Sequence, residues 1–211
     1  MLIRIFLEKI AVFGLLIFCP LVWAKEETVQ EAGLEKATFA GGCFWCMESP
    51  FEGLKGVKSV TSGYTGGQVK KPTYEQVCTG RTGHAEAVQV VYDPKEIAYQ
   101  ELLDAFWHNI DPTTKDRQFA DEGTQYRTAI FYYSDEQKRL AEESKKKLGG
   151  LNIFGAPIVT QIAKATEFYP AEEYHQGYCR KKPKQYQMYR AGSGRDQYLN
   201  SVWGGSPPAG H

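Results

Sequence analysis

Short runs of β-branched and aromatic residues alternate with amphipathic stretches from Lys36 to Phe168, and glycine pairs at 41–42, 66–67 and 149–150 stand at the joints. This alternation constrains the chain more than any other feature, because strands and helices in such an order must pack as a sheet with helices against it around one core. Lys36–Ala40 reads as a short strand. Cys43–Glu52 reads as a helix, with Phe44, Met47 and Phe51 at helical spacing. Val57–Tyr64 suits a second strand and Thr73–Cys78 one or two helical turns. Ala85–Tyr92 is the strongest strand signal, closed by a turn at Asp93-Pro94. The apolar stripe Leu102, Leu103, Phe106 and Ile110 predicts an amphipathic helix over Glu96–Ile110. Arg127–Tyr133 follows as a strand. Ser134 then caps a helix over Asp135–Leu148, which Gly149-Gly150 ends. Ile158–Phe168 reads as a long mixed strand and residues 170–178 as a short turn or helix. The expected class is α+β.

The two ends differ from this middle. Arg4 and Lys9 precede an apolar run from Ile10 to Trp23, and Val22-Trp23-Ala24 offers a cleavage site, so residues 1–24 read as a secretory signal peptide. The run is shorter than the roughly 20 residues of a spanning helix, so no stable membrane anchor is expected. Export, with the bacterial periplasm as the place of work, follows from that reading. Residues 25–34 form a polar lead-in, residues 35–189 the catalytic domain, and residues 190–211 a Gly/Ser/Pro-rich tail read as coil. Lys plus Arg and Asp plus Glu balance at 25 each, so nothing argues for a nucleic-acid partner, which favours a basic face.

Four cysteines remain after residue 24: Cys43, Cys46, Cys78 and Cys179. They are compatible with two structural disulfides or with redox chemistry. Cys43 follows two glycines and opens a predicted helix, where free N–H groups and the helix dipole favour a thiolate. The competing readings are a buried pair or half of a metal site, although Cys78, Cys179, His84 and His175 lack regular ligand spacing. Phe44 and Trp45 suit either an apolar cup for a thioether or core packing. Cys46 lies one turn from Cys43, and a disulfide between them implies turnover by an external dithiol. Glu86 opens an apolar strand. Facing inward it is an acid with a raised pKa, and facing outward an ordinary surface carboxylate. Asp121, Gln125 and Tyr126 either orient a substrate or hold their loop, and Tyr74 and His175 carry the same ambiguity.

The blocks AGGCFWCMESPFEGLKGV, SGYTGG, PTYEQVCTGRTGHAEAVQVVYDP, FWHNIDPTTKDRQFADEGTQYRTAIFYY and FYPAEEYHQGY occur in order from about Lys36 to Tyr178. With them the chain resembles the A-type peptide methionine sulfoxide reductases. The resemblance implies a two-layer α+β sandwich with a mixed sheet related to the α-β plait. It implies reduction of methionine S-sulfoxide, free or in proteins and peptides, with no bound cofactor or metal and a thioredoxin-like protein as external dithiol. It assigns Cys43 as nucleophile, Phe44 and Trp45 to the methyl pocket, Glu86 as the acid at the sulfoxide oxygen, and Tyr74 and Tyr126 as hydroxyls aimed at that oxygen. Asp121 matches an active-site aspartate and His175 a pocket support. The chain departs from many members in carrying Cys46 after Phe-Trp where they have glycine, and in having no cysteine beyond Cys179. The resemblance therefore makes Cys46 the resolving cysteine, with Cys179 as the alternative and Cys78 structural. The rival functions are a general thiol–disulfide oxidoreductase, for which Glu86, Phe44 and Trp45 are dispensable, and a non-enzymatic exported protein with structural disulfides or a metal.

Overall fold

The computed structural model describes residues 33–204. The signal-peptide reading, most of the lead-in and the last residues of the tail lie outside them. In chain order the elements are β1 (Glu35–Gly41), α1 (Phe44–Glu52), β2 (Val57–Thr65), α2 (Tyr74–Cys78), β3 (Ala85–Tyr92), α3 (Tyr99–Trp107), β4 (Arg117–Gln118) and β5 (Asp121–Glu122). Then follow β6 (Thr128–Tyr132), α4 (Asp135–Gly150), β7 (Gln161–Lys164), β8 (Tyr169–Pro170), α5 (Tyr178–Lys181), α6 (Pro183–Gly192) and α7 (Arg195–Trp203).

Six strands form one mixed sheet in the order β7-β6-β1-β3-β2-β8, and β4 and β5 form a small separate hairpin. Only the β6–β7 pair is parallel. Side chains alternate across a strand, and the sequence obeys that period. Ala37, Phe39, Val88, Val90 and Ile130 face α1, α3 and α4 and build the main core with Phe51, Leu102, Leu103 and Phe106. Ala40, Ala85, Ala87, Ala129 and Phe131 line the opposite face, which Ala163, Ala165 and Phe168 cover. The architecture is the expected two-layer α+β arrangement with a mixed sheet.

Three expectations are corrected. The predicted strand Ile158–Phe168 pairs only over Gln161–Lys164, because Val159 N–H donates to Pro112 and Ala165 N–H to Tyr132 (both 2.8 Å), and the chain then leaves β6 to reach the far edge of the sheet. Within the described residues, the stretch beyond Tyr189 is helical and not coil. It continues α6 to Gly192 and forms α7, with Gly194 and Gly204 in left-handed conformation (φ +82° and +66°) as the boundaries of that helix. These glycines end a helix rather than prevent one. The helix over Asp135 also runs through Gly149-Gly150 to a cap at Leu151, with Ser134 capping its start as expected. No helix of the described residues is long and apolar enough to cross a membrane.

Candidate active site

Cys43 stands at the N-cap of α1, where the backbone turns out of the helix (φ −54°, ψ 122°). Gly42 makes that turn with φ +85°, and a Cβ there would come within 2.5 Å of Gln118 Cβ, so glycine is required for β1 to turn into α1 against the β4–β5 hairpin. Cys46 N–H donates to the Cys43 carbonyl at 3.0 Å, closing one turn that brings the two thiols near enough for each to shift the other's titration.

The expected Cys43 thiolate beside free N–H groups is not what the fold builds. The first helical N–H, that of Phe44, is already donated to Glu86 Oε2 at 3.1 Å. Cys43 is only 6% exposed, and burial, followed by the Cys46 hydrogen bond and the Glu86 charge, pushes its thiol well above the ordinary range. Cys46 is the acidic partner. The Cys43 hydrogen bond brings it down to about 7 against the effect of burial, with the charges of Arg195 and Arg190 assisting and Asp121 opposing. The two thiols titrate as a pair, with Cys43 shifted up and Cys46 shifted down.

Strand parity decides the orientation of Glu86. Ala85 and Ala87 face the alanine side, so Glu86 points with Val88 and Val90 beneath α1. It is 2% exposed. Burial lifts its carboxyl to about 8, the Phe44 N–H pulls the other way, and the charges of Asp121 and Cys46 add to the rise. Near neutral pH it is a carboxylic acid with a proton to give.

Three phenols converge on the same space. Tyr74 opens α2, whose start is fixed by a capping box between Thr73 and Gln76. Its N–H donates to Glu172 Oε1 (2.9 Å), while Tyr64 O–H donates to Glu172 Oε2 (2.8 Å). Tyr126 closes the 3-10 turn Thr124–Tyr126 behind the β4–β5 hairpin. Burial raises both Tyr74 and Tyr126, and the Glu86 charge raises them further, so they remain O–H donors. The third phenol, Tyr189 of α6, was not anticipated. Its hydroxyl donates to Asp121 Oδ2 and lies close enough to Cys43 for each to shift the other's titration. Burial raises the Asp121 carboxyl, and Tyr189 and Arg195 draw it back.

An aromatic cup closes the site. Trp45 stacks on Tyr178 at 3.8 Å and meets Tyr189 edge-on at 5.8 Å. His175 lies 4.9 Å from Phe44 and 4.4 Å from Tyr74. Its Nδ1 accepts the Trp45 indole N–H at 3.1 Å, which leaves the proton on Nε2. Burial keeps the ring neutral, so His175 holds the cup rather than moving protons. Glu48, buried one turn after Trp45, accepts Gly177 N–H at 2.8 Å and so seats the turn that carries Tyr178.

The other cysteines stand apart from the pair. Cys179 Sγ is 3.7 Å from Glu52 Oε2, at the far end of α1 from Cys43. At about 1.5 Å per residue that helix sets the two ends some 13 Å apart, whereas bridged Cα atoms lie within about 7 Å. Cys78 is exposed and near enough to the Tyr74 hydroxyl for each to shift the other's titration, so it belongs to the rim of the site and not to the core. No group of three or more His, Cys, Asp or Glu among the described residues is arranged to hold a metal ion.

The sequence-selected residues Cys43, Cys46, Phe44, Trp45, Tyr74, Glu86, Asp121, Tyr126 and His175 are thus brought together, and Cys179 is not. Missed were Glu48, Tyr64, Glu172, Tyr189, Arg190 and Arg195. Tyr186, Tyr189 and Arg190 at helical spacing after Pro183 were the available signal for a helix in the supposed tail.

A buried thiol pair facing a protonated carboxylic acid, ringed by phenolic donors and an aromatic cup, defines a thiol-dependent reductase that removes oxygen from an apolar centre. Residues 35–206 match the family described as peptide methionine sulfoxide reductase. The peptide methionine sulfoxide reductase MsrA of Bacillus licheniformis is 57% identical over 170 residues, spanning 81% of this chain and 94% of that protein. The reduced form of Mxr1 from Saccharomyces cerevisiae has a similar structure (TM-score 0.68, 36% identity, 72% of this chain and 88% of that one). Mxr1 in complex with Trx2 is similar with a TM-score of 0.51 and 28% identity, over 73% of this chain and 91% of that one. The chain belongs to the peptide methionine sulfoxide reductase family, and within it to the MsrA type. Its activity is the thiol-dependent reduction of methionine S-sulfoxide.

Proposed function

We propose that Cys43 is the nucleophile, Glu86 the acid, Tyr74 and Tyr126 the donors to the sulfoxide oxygen, and Cys46 the resolving cysteine. The observation that carries this reading is Glu86, a buried neutral acid hydrogen-bonded to the N–H of the residue that follows Cys43. The Cys46 thiolate takes the Cys43 proton as the Cys43 sulfur attacks the sulfoxide sulfur. Glu86 gives its proton to the oxygen, a poor leaving group until it is protonated, and the two phenols stabilise the charge that develops there. The hydroxyl then passes from the substrate sulfur to Cys43: the Cys43 S–O bond forms, the substrate S–O bond and the transient Cys43–substrate S–S bond break, methionine leaves, and Cys43 becomes a sulfenic acid. Cys46 then attacks the Cys43 sulfur. An S–S bond forms, the second S–O bond breaks, and the hydroxide departs as water with the Cys46 proton.

Phe44 and Trp45, with His175 behind them, receive the methyl group. Asp121 fixes Tyr189 beside the nucleophile. An external dithiol must reopen the disulfide, and the complex of Mxr1 with Trx2 supports a thioredoxin-like donor for this chain. The substrates are methionine sulfoxide residues in proteins and peptides, and the free amino acid. We also propose export after cleavage at Ala24, supported by the pattern of residues 1–24. The intact mass of the secreted chain should begin at Lys25.

The test of the reaction is a single turnover of the reduced chain with separated epimers of a methionine sulfoxide peptide, followed by disulfide mapping. The expected product is one methionine per chain from the S epimer alone, with a Cys43–Cys46 link. A link to Cys179 would replace the resolving route. An unmodified Cys43 in a chain that has formed methionine would sink the whole assignment.

A further inference from the structure

The two residues that hold Trp45 in place flank a pinned dipeptide. His175 fixes the indole at its edge, where Nδ1 accepts the Trp45 N–H at 3.1 Å, and Tyr178 covers its face at 3.8 Å with 6° between the ring planes. Between them lie Gln176 and Gly177, each tied to the domain by a partner far away in the chain. The Gln176 side chain continues the edge that β8 leaves at Pro170. Its amide accepts the Ser62 N–H of β2 at 2.9 Å and donates to the carbonyls of Ser62 and Ala171, both at 2.8 Å. Gly177 is held from the other side. Its N–H is donated to Glu48 Oε1 at 2.8 Å, and its φ of +59° turns the chain into α5.

Glu48 stands three residues after Trp45 on α1, one turn further along the same side. The turn is therefore clamped between the sheet and the very helix that carries Trp45. Packing alone does not call for a carboxyl at this place. Glu48 is 1% exposed, its Oε2 has no hydrogen-bond partner, and burial raises its pKa. A buried polar group that is only partly bonded costs free energy that an apolar residue would avoid. What the carboxyl contributes in its stead is the bond to Gly177.

We propose that Glu48 is a positioning residue of the methyl pocket, which with Gln176 clamps the His175–Tyr178 turn and so fixes where Trp45 stands for the methyl group of the sulfoxide. This rests on the reading of Phe44 and Trp45 as the receivers of that group. Glu48 touches neither the sulfoxide nor the reacting sulfur, and it acts through the stacked Tyr178 and the bonded His175.

The test is single-turnover methionine release by the reduced chain, titrated with an S-sulfoxide peptide so that binding is read apart from chemistry. Glu48→Leu removes the acceptor and keeps an apolar filling. It should raise the half-saturating peptide concentration about tenfold, the effect of a badly fitted methyl group. The rate at saturation should stay within about threefold of the parent, because the cup holds the methyl group in ground and transition state alike. Glu48→Gln keeps an oxygen for the Gly177 N–H and should restore half-saturation to within about twofold of the parent. Half-saturation unmoved in Glu48→Leu, or raised as far in Glu48→Gln, would overturn the proposal. So would a loss in Glu48→Leu that falls on the saturated rate alone.

Should Glu48→Leu fail to fold, Gly177→Ala disturbs the same bond without emptying buried space. A side chain is strained at φ +59°, and its Cβ would come within 2.9 Å of Arg180 Nη2. Raised half-saturation then supports the clamp, and the parent's value overturns it. Trp45→Leu separates the inference from the reading beneath it. If Trp45→Leu saturates at the parent's concentration, the methyl pocket is misassigned and both fall. If Trp45→Leu weakens binding while Glu48→Leu does not, this inference alone falls.

Discussion

Replacing Glu86 by Gln tests the acid directly and should move activity and stability in opposite directions. Gln keeps an acceptor for the Phe44 N–H but has no proton to give. With a carboxyl near 8, about nine-tenths of Glu86 is protonated at pH 7 and about one-tenth at pH 9. The chemical step of the parent should therefore fall about tenfold per unit above pH 8. General acids contribute about 100-fold or more, so Glu86→Gln should slow single-turnover methionine release by at least that factor at pH 7 and lose the alkaline fall. The folded chain holds this proton more tightly than the unfolded chain, whose carboxyl titrates near 4.5. Parent stability is consequently complete below that value, declines as pH rises from it to about 8, and loses on the order of 5 kcal/mol in all. Glu86→Gln lacks this decline, so the stability gap between the two chains should swing in the variant's favour between pH 5 and pH 9. Rapid-quench kinetics from pH 6 to 10 and urea melts at pH 5, 7 and 9 measure both effects. An unchanged chemical step would refute the acid role, and a gap that is flat with pH would refute the buried neutral carboxyl.

Cys46→Ser should release one methionine per chain and then stall, with a dimedone-reactive sulfenic acid at Cys43 and no turnover on a thioredoxin-like donor. Cys179→Ser should leave both the methionine yield and the Cys43–Cys46 link intact, and loss of the link would restore Cys179 as the resolving residue. Glu172→Gln should weaken the tie to the Tyr74 N–H and Tyr64 O–H, lowering kcat about tenfold through the displaced Tyr74 hydroxyl, with a smaller effect in a Tyr74→Phe background. Tyr189→Phe removes the hydroxyl that donates to Asp121 and acts on Cys43. It should slow methionine release in single turnover several-fold and leave the sulfenic acid lifetime unchanged.

The sheet and three large helices were legible because their signals are local. EAVQVVY declares a strand whatever surrounds it, and observed β3 begins and ends where the sequence places it. The ordered blocks around Cys43, Glu86, Tyr126 and His175 carried the site for the same reason. What escaped depends on partners distant in sequence. The direction of Glu86 requires knowing which face of β3 lies under α1, and periodicity alone leaves that open. The protonation of Cys43 turns on burial and on Glu86 having already taken the Phe44 N–H, neither of which is written beside Cys43. Gly194 and Gly204 dominate the composition of the last segment and so suggested coil, yet they bound a helix whose Arg195 and Leu199 are buried against the domain. The Ile158–Phe168 run has the composition of a strand, but its middle residues alone find a partner.

The site needs two protonation states at once that ordinary side chains would not hold together. The acid must keep its proton while a thiol nearby has lost one, although a free carboxyl is far more acidic than a free thiol. Burial raises Glu86 to about 8, and the Cys43 hydrogen bond with the Arg195 and Arg190 charges lowers Cys46 to about 7. The usual order of carboxyl and thiol is thereby inverted. Burial alone cannot produce this order, since it raises both groups. The reversal comes first from the Cys43 hydrogen bond and then from the charges of Arg195 and Arg190, so α7, in a stretch that composition suggested was coil, contributes to the coexistence of acid and thiolate.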